Sequence, residues 1–260
     1  MLLDGKVAIV SGIGPGMGRD ISLALAEQGA DIVLGGRTES KLEGVAKEVE
    51  ALGRRALPVR CDVVDPDACI ELADRAAAEL GGVDILVNNA FHGGDAKSVL
   101  DADLRAWRDV IDINLFGALH MTRAVVPHME ERGKGYIVMI NTMSTERIQA
   151  HFGSYTASKS ALKGVSRTLA RELGPKGIRV NAIHPGYIWG DSVEWYFNHQ
   201  AEKRGVTFQE VYDEVASETC LGYLPSSEEI AGAVVFFASD LAKAVTGQSI
   251  GVNAGHWFQG

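Results

Sequence analysis

Residues 6–29 read KVAIVSGIGPGMGRDISLALAEQG, and this stretch decides the fold. It begins with a short apolar, β-branched run at 6–12, which is typical of a buried strand. Glycines crowd residues 12–18, and apolar residues then recur at helical spacing. A strand, a glycine-rich turn and a helix in this order aim main-chain N–H groups and a helix N-terminus at one spot, which suits a bound pyrophosphate.

Six further apolar runs follow, with helix-like segments between them. Together the runs predict seven strands, at residues 6–12, 31–36, 56–63, 83–90, 136–142, 178–186 and 249–255. Their apolar character is nearly continuous rather than alternating, as expected for strands that are buried on both faces of a parallel sheet. The sequence therefore predicts an α/β fold with a doubly wound, seven-stranded parallel sheet, the Rossmann arrangement.

Composition narrows the class of protein. The chain has 260 residues without a linker-like stretch, so we expect one domain over residues 1–260. A net charge of −9, spread along the chain, argues against nucleic-acid and membrane partners. The three cysteines and seven histidines show no metal-binding spacing, so no metal is expected. Neither a signal peptide nor a run of ~20 apolar residues is present, which predicts a cytoplasmic protein.

One connection, residues 187–224, is long for a loop. Its aromatic residues include spacings compatible with helical faces, so we expect one or two short helices. These aromatics can pack a small core of their own, or form a lid over a ligand at the carboxyl edge of the sheet. The two interpretations can hold for different residues.

The stretch 141–159, NTMSTERIQAHFGSYTASK, carries seven side-chain hydroxyls and a single lysine. Tyr155 and Lys159 are four residues apart in a segment of helical composition, so their side chains share one helix face. A free phenol has a pKa near ~10 and is a poor base at neutral pH, but a nearby ammonium group favours the phenolate. Lys159 provides such a cation on the same helix face as the Tyr155 phenol.

These features occur together with several other motifs. The glycines fit G-x-x-x-G-x-G through Gly12, Gly16 and Gly18, because Met17 stands where G-x-G-x-x-G would need glycine. NNA follows at 88–90, then Asn114, the Tyr155/Lys159 pair, and PG at 185–186. In this order and at these intervals, the motifs resemble those of the short-chain dehydrogenase/reductase family across nearly the whole chain.

The resemblance implies a set of catalytic residues. Tyr155 is the general acid in carbonyl reduction and the base in alcohol oxidation, and Lys159 lowers its pKa and binds the nicotinamide ribose. Asn114 holds a water that links the lysine to solvent. The family's serine, thirteen residues before the tyrosine, corresponds to Thr142, which offers the same hydrogen bonds. Ser144 is the alternative; we favour Thr142 because it lies nearer the strand end.

The resemblance also implies a bound nicotinamide dinucleotide. Asp62 bonds the adenine amino group, and Asn88 and Ala90 line the adenine ribose. The full set of expected cofactor contacts is Gly12, Gly14, Gly16, Met17, Gly18, Arg37, Asp62, Val63, Asn88, Ala90, Tyr155, Lys159, Pro185, Gly186 and Ile188. Ser192 can replace the threonine hydroxyl that often follows PG in the family.

The residues at the end of the second predicted strand indicate whether NAD or NADP binds. LGGRTESKLE supplies no carboxylate for a ribose 2′-hydroxyl, since Gly35 and Gly36 stand there, whereas Arg37 and Thr38 can hold a 2′-phosphate. NADP is therefore favoured over NAD. Arg37 as a solvated loop charge is the alternative interpretation.

The leading functional hypothesis is hydride transfer between NADP and a secondary alcohol or ketone. A catalytically silent NADP(H)-binding sensor or scaffold is the alternative from another class, and an isomerase or dehydratase is a third. The aromatic segment 187–224 suggests a bulky, largely apolar substrate. The resemblance implies a homotetramer, for which the apolar helix expected at 104–129 and the C-terminal VNAGHWFQG offer contact surfaces.

Overall fold

The computed structural model describes residues 1–258 and places their strands in one sheet. The strands are β1 Val7–Ser11, β2 Asp31–Gly36, β3 Ala56–Arg60, β4 Ile85–Asn88, β5 Gly135–Ile140, β6 Ile178–Pro185 and β7 Ser249–Val252. All neighbouring pairs are parallel, in the order β3-β2-β1-β4-β5-β6-β7. The predicted doubly wound sheet of seven strands is confirmed. The last two residues of the expected domain, 259 and 260, lie outside the described residues.

Helices join successive strands and cover both faces of the sheet. They are α1 Met17–Glu27, α2 Glu39–Ala51, α3 Pro66–Leu80, α4 Leu104–Ile111, α5 Ala118–Glu131, α6 Gly153–Leu173, α7 Asp191–Arg204, α8 Phe208–Ser217 and α9 Ser227–Ala238. The strand order reverses between β1 and β4, because the chain leaves edge strand β3 and re-enters the sheet beside β1. Open α/β sheets bind ligands outside the carboxyl ends of their strands at such a switch point.

Strand β1 shows why the apolar runs are continuous. All five of its residues are buried. Ala8 and Val10 point into a core layer shared with α1, α2 and α9, whereas Val7 and Ile9 point into a second layer shared with α3, α5 and α6. Since successive side chains of a strand alternate between faces, a sheet covered on both sides needs apolar residues at every position.

The long connection 187–224 contains α7 and α8, as the aromatic spacings predict. Phe197, Ala201, Val211 and Leu224 form a separate buried cluster there, with Trp189 packed against it. A Thr207–Glu210 capping box starts α8. Trp195, by contrast, is 69% exposed. Most aromatics of this segment therefore pack its own small core, which builds a helical cover at the carboxyl edge of the sheet.

Among the described residues, no helix is long and apolar enough to cross a membrane. The cytoplasmic location expected from the sequence stays a prediction.

Candidate active site

The glycine turn after β1 contains two kinds of glycine. Gly12 has a φ of +80°, and a Cβ there would lie 2.4 Å from the Cα of Ala90. A Cβ on Gly18 would lie 2.6 Å from the carbonyl oxygen of Gly12. These two glycines allow the close approach of the turn, α1 and the end of β4. Gly14 and Gly16 have open space beside them instead, so they leave room for a ligand.

Helix α1 begins at Met17 directly behind this turn. Within residues 1–258, no side chain caps its N-terminus, in contrast to α3, where Asp65 accepts hydrogen bonds from the Asp67 and Ala68 N–H groups. The first main-chain N–H groups of α1 are therefore left without a capping side chain, next to the open space at Gly14 and Gly16. This arrangement fits the pyrophosphate of a dinucleotide.

A cavity of about 220 Å³ lies beside the glycine turn. Its lining includes the expected cofactor residues Gly12, Arg37, Asp62, Val63 and Ala90, together with Ile13, Gly36, Thr38, Lys41, Cys61, Phe91, His92 and Ile113. Sequence reasoning did not single out Lys41. It lies four residues after Arg37, at the start of α2, and brings a second cation to the wall of the cavity.

Asn88 and Asn89 are placed differently from each other. The Asn88 amide donates to the Thr122 hydroxyl at 3.3 Å, in the interior between β4 and α5, and Asn88 does not line the cavity. The Asn89 amide donates to the Gly12 carbonyl oxygen at 2.8 Å and so holds the glycine turn in place. The ribose contact predicted for Asn88 stays a prediction, while its neighbour Ala90 lies on the cavity wall.

Lys159 lies in α6 with only 2% of its surface exposed. Its Nζ donates a hydrogen bond of 2.7 Å to the carbonyl oxygen of Ile140, at the end of β5. Burial disfavours the charged form and lowers the pKa of Lys159 to about 7. The amine is thus close to neutrality at physiological pH, and any group that places negative charge beside it will keep it protonated.

Tyr155 precedes Lys159 by one helical turn. Burial raises the pKa of the Tyr155 phenol, and the Thr142 side chain opposes that rise by hydrogen bonding to it. Since the raised pKa keeps the phenol protonated at neutral pH, the group is ready to donate a proton.

Asn114 connects two parts of this site by hydrogen bonds, from an element between α4 and α5. The helix expected at 104–129 is interrupted by a π-helical stretch, Asp112–Gly117, that carries Asn114. The Asn114 amide donates to the Ser158 hydroxyl and to the His92 carbonyl oxygen, both at 2.9 Å, and its oxygen accepts from the His92 N–H at 2.7 Å. One buried side chain therefore joins the loop after β4 to the residue that precedes Lys159.

Both candidate hydroxyls after β5 lie at the site. Thr142 Oγ1 accepts from the Ser144 N–H at 3.2 Å, and the two hydroxyl oxygens are 3.3 Å apart. Both line a second cavity of about 200 Å³, with Met143, Gln149, Phe152, Gly186, Tyr187, Ser192, Val193 and Tyr196. Thr142 is the one whose side chain influences the phenol of Tyr155.

The end of β6 forms the far wall of this second cavity. Pro185 is the last residue of the strand, and a Cβ on Gly186 would lie 2.9 Å from that of Asn253, so glycine allows the loop to pass the end of β7. Ile188 is partly buried against the core layer of α1 and α9. Ser192, the hydroxyl expected to replace the family's threonine, lines the cavity.

Comparison with known proteins agrees with this geometry. A family model described as enoyl-(acyl carrier protein) reductase matches residues 12–256. The 7α-hydroxysteroid dehydrogenase of Escherichia coli (strain K12) is 35% identical over 253 residues, covering 97% of this chain and 94% of that protein. The chain belongs to the short-chain dehydrogenase/reductase family. The resemblance drawn from the motifs is confirmed.

Other similar members of the family are also dehydrogenases. The cis-4-hydroxycyclohexanecarboxylate dehydrogenase of Sinomonas cyclohexanicum is 36% identical over 251 residues, covering 96% of each chain. A crystal structure of NAD⁺-bound xylitol dehydrogenase superposes with a TM-score of 0.91 at 30% identity, covering 98% of this chain and all of that one. The protein is therefore an NAD(P)-dependent oxidoreductase that acts on alcohol or ketone groups, as predicted. Nothing in these comparisons supports the sensor or scaffold alternative.

Proposed function

We propose that this enzyme interconverts a secondary alcohol and a ketone with NADP(H), and that Tyr155 is its acid–base residue. The observation that carries the proposal lies at the end of β5, where Thr142 lines the second cavity and its side chain hydrogen-bonds to the Tyr155 phenol. Lys159 is anchored close by, on the Ile140 carbonyl oxygen, and Asn114 bonds to the residue before Lys159. A panel of cyclic, acyclic and polyol substrates, assayed with NADPH or NADP⁺ and with NADH or NAD⁺ in parallel, tests it.

Each side chain has a distinct task in this proposal. A bound nicotinamide dinucleotide supplies the hydride chemistry. The Tyr155 phenol gives its proton to the ketone oxygen during reduction and takes one from the alcohol during oxidation. The Thr142 hydroxyl orients the substrate oxygen. Because burial raises the pKa of Tyr155, reduction needs no prior ionisation, whereas alcohol oxidation should speed up as the pH rises.

The role of Thr142 predicts unequal effects of two small substitutions. Thr142→Val keeps the shape but removes the hydroxyl, and we expect a loss of turnover on the order of 100-fold, as for other removed donors to a reacting oxygen. Ser144→Ala should reduce turnover less than tenfold, because the Ser144 hydroxyl contacts the Thr142 hydroxyl and not the phenol itself. Thr142→Ser, which keeps the hydroxyl, is the matched control. Loss of turnover only in Ser144→Ala would reverse the assignment.

The preference for NADP rests on two cations, Arg37 and Lys41, at a cavity end where Gly35 and Gly36 provide no carboxylate. A guanidinium group and an ammonium group suit a 2′-phosphate, and neither is needed by a 2′-hydroxyl. The similar xylitol dehydrogenase was solved with NAD⁺, so the choice of dinucleotide has to be measured on this chain.

We expect Arg37→Ala with Lys41→Ala to weaken NADPH binding by on the order of 10- to 100-fold, because each cation lost is worth about 1 kcal/mol or more. NADH binding should change less than twofold. Lys47→Ala, which removes one positive charge from an exposed position further along α2, is the control for the effect of charge alone. Tighter binding of NADH than of NADPH by the unmodified enzyme would refute the preference.

We further propose a cyclic, largely apolar secondary alcohol as the substrate. Met143, Phe152, Val193 and Tyr196 supply apolar surface to the second cavity. The similar proteins named above include a hydroxysteroid and a hydroxycyclohexanecarboxylate dehydrogenase, whose names both describe a hydroxyl on an alicyclic ring. In the substrate panel, turnover confined to polyols would contradict this substrate class.

The homotetramer implied by the family stays a proposal. Leu104, the first residue of α4, and Phe116, within the π-helical stretch, are 65% and 45% exposed and offer an apolar contact surface. The C-terminal segment contributes the partly exposed Trp257, and its last two residues lie outside the described ones. A solution mass near that of one 27.8-kDa chain, measured by light scattering, would exclude the tetramer.

A further inference from the structure

Two buried cysteines face each other beside the nucleotide cavity. Cys61 directly follows β3, and Cys69 lies in the first turn of α3. Their Sγ atoms are 4.0 Å apart, and the side chains are 3% and 0% exposed. A disulfide needs a sulfur–sulfur distance of about 2 Å, so the two atoms must approach by roughly another 2 Å to bond. The third cysteine, Cys220, is exposed and free.

The chain between the two cysteines forms part of the cavity wall. Cys61, Asp62 and Val63 all line the cavity that fits the dinucleotide. The Asp62 carbonyl oxygen accepts from the Asp65 N–H at 3.0 Å, which closes a tight turn, and the Cys69 thiol contacts the Val63 carbonyl oxygen at 3.7 Å. The thiol of α3 therefore lies directly beneath the turn that carries the expected adenine contact.

Both ends of this turn are anchored. The Cys61 N–H donates to the Gly36 carbonyl oxygen at 2.9 Å, which fixes it to the end of β2. At the other end, Asp65 caps α3 and accepts from the Asp67 N–H at 3.0 Å. When the sulfur atoms close the remaining gap, the segment between these two anchors, residues 62–64, is the one with freedom to move. Its movement changes the wall that the dinucleotide contacts.

We propose that oxidation joins Cys61 and Cys69 in a disulfide that displaces residues 62–64 of the turn and weakens dinucleotide binding. With hydrogen peroxide as oxidant, the Cys61 thiolate attacks a peroxide oxygen, forming a sulfenic acid and releasing hydroxide. The Cys69 sulfur then attacks the Cys61 sulfur; the S–S bond forms, the S–O bond breaks, and oxygen leaves as water. Two thiols lose two electrons and two protons, and one peroxide becomes two waters.

The inference requires a nicotinamide dinucleotide in this cavity, but it does not depend on the preference for NADP. Disulfide formation and dinucleotide binding must affect each other equally. If the disulfide weakens dinucleotide binding by some factor, bound dinucleotide must shift the thiol–disulfide equilibrium toward the thiols by the same factor. The two factors can be measured independently, one by titration of the dinucleotide and one in a redox buffer.

The test uses the full chain in its native state. Peroxide-treated and untreated protein are alkylated and digested with trypsin, since the peptide 61–75, between Arg60 and Arg75, contains both cysteines. In the peroxide-treated protein we expect this peptide to be lighter by two hydrogens and to resist alkylation. Binding of NADP⁺, with NAD⁺ in parallel, should weaken on the order of tenfold and recover with dithiothreitol. The thiol–disulfide equilibrium constant is then measured in dithiothreitol buffers with and without saturating dinucleotide. Bound dinucleotide should shift it toward the thiols by the same factor.

Three variants separate this effect from general oxidation damage. Cys220→Ser should respond to peroxide as the unmodified protein does. Cys69→Ser, at a position that does not line the cavity, should bind dinucleotide normally and lose the reversible response. Cys61→Ala should also lose this response, measured against its own untreated affinity. Free or over-oxidised thiols in peptide 61–75, or a disulfide that leaves dinucleotide affinity within twofold, would overturn the proposal. Failure of hydride transfer in the substrate panel would leave this result unaffected, because the readouts are peptide mass and binding.

Discussion

The Tyr155→Phe variant is expected to lose turnover by on the order of 10³-fold, the range that a positioned acid–base group contributes. The substitution removes one oxygen atom and leaves the ring, so the packing around the side chain is kept. Burial raises the pKa of the phenol, so the unmodified group is uncharged at neutral pH and its loss removes no charge from the folded state. Binding of NADPH and the unfolding midpoint should therefore change little.

Turnover and binding have to be measured on the same preparations, with kcat from NADPH absorbance and the dissociation constant from fluorescence titration. Tyr136→Phe is the matched control, since its hydroxyl contacts Asp240 at 3.0 Å near the start of β5, at the opposite end of the sheet from the site. A Tyr155→Phe enzyme within tenfold of normal turnover would show that another group moves the proton. A fall in both affinity and unfolding midpoint would point to a structural role.

The sheet could be predicted from the sequence because its strands are buried on both faces. Every position of β1 is apolar or small, and such runs stand out from the helices between them. The break in the helix at 104–129 could not be predicted in this way. Residues 112–117 keep the same general composition as the helices on either side, and the π-helical stretch depends on the tertiary contacts that Asn114 makes with His92 and Ser158.

The candidate site was predictable where chemistry fixes both residue type and spacing. Tyr155 and Lys159 share a helix face because they are four residues apart. The direction of Asn88 was not predictable, since the last residue of a strand can turn its side chain to either face, and here it turns to Thr122. Lys41 and the Cys61–Cys69 pair were missed because their significance depends on contacts between separate elements, which no local motif records.

Replacement of Lys159 is expected to have a large effect on the stability of the fold. Burial lowers its pKa from 10.5 to about 7. Below about pH 7 the amine is charged in both the folded and the unfolded chain, so the folded state bears the full cost of burying the charge. Between pH 7 and 10.5 only the unfolded chain holds the proton, so this contribution to stability rises with pH. Above pH 10.5 the cost is absent.

Lys159→Met should therefore stabilise the fold while turnover is lost. The lowered pKa corresponds to roughly 5 kcal/mol of unfavourable burial at pH 7. Removing the amine also leaves the buried Ile140 carbonyl oxygen without its 2.7 Å partner, which costs about 1–3 kcal/mol. The first effect is larger, so we expect a net gain of roughly 2–4 kcal/mol in the free energy of unfolding at pH 7. The gain should shrink as the pH approaches 10.5.

Urea unfolding of the dinucleotide-free protein at pH 7 and pH 9.5 measures both the gain and its pH dependence. Lys163→Met is the control from the next turn of α6, because its amine is partly exposed and paired with Glu146. Its loss should cost about 1 kcal/mol or less at both pH values. A Lys159→Met protein less stable than the unmodified one at pH 7 would mean that the folded site stabilises the charged amine. If Lys159→Met is more stable, as we expect, the buried lysine lowers the stability of the fold. Its benefit to the enzyme then lies in catalysis, through the neighbouring phenol of Tyr155.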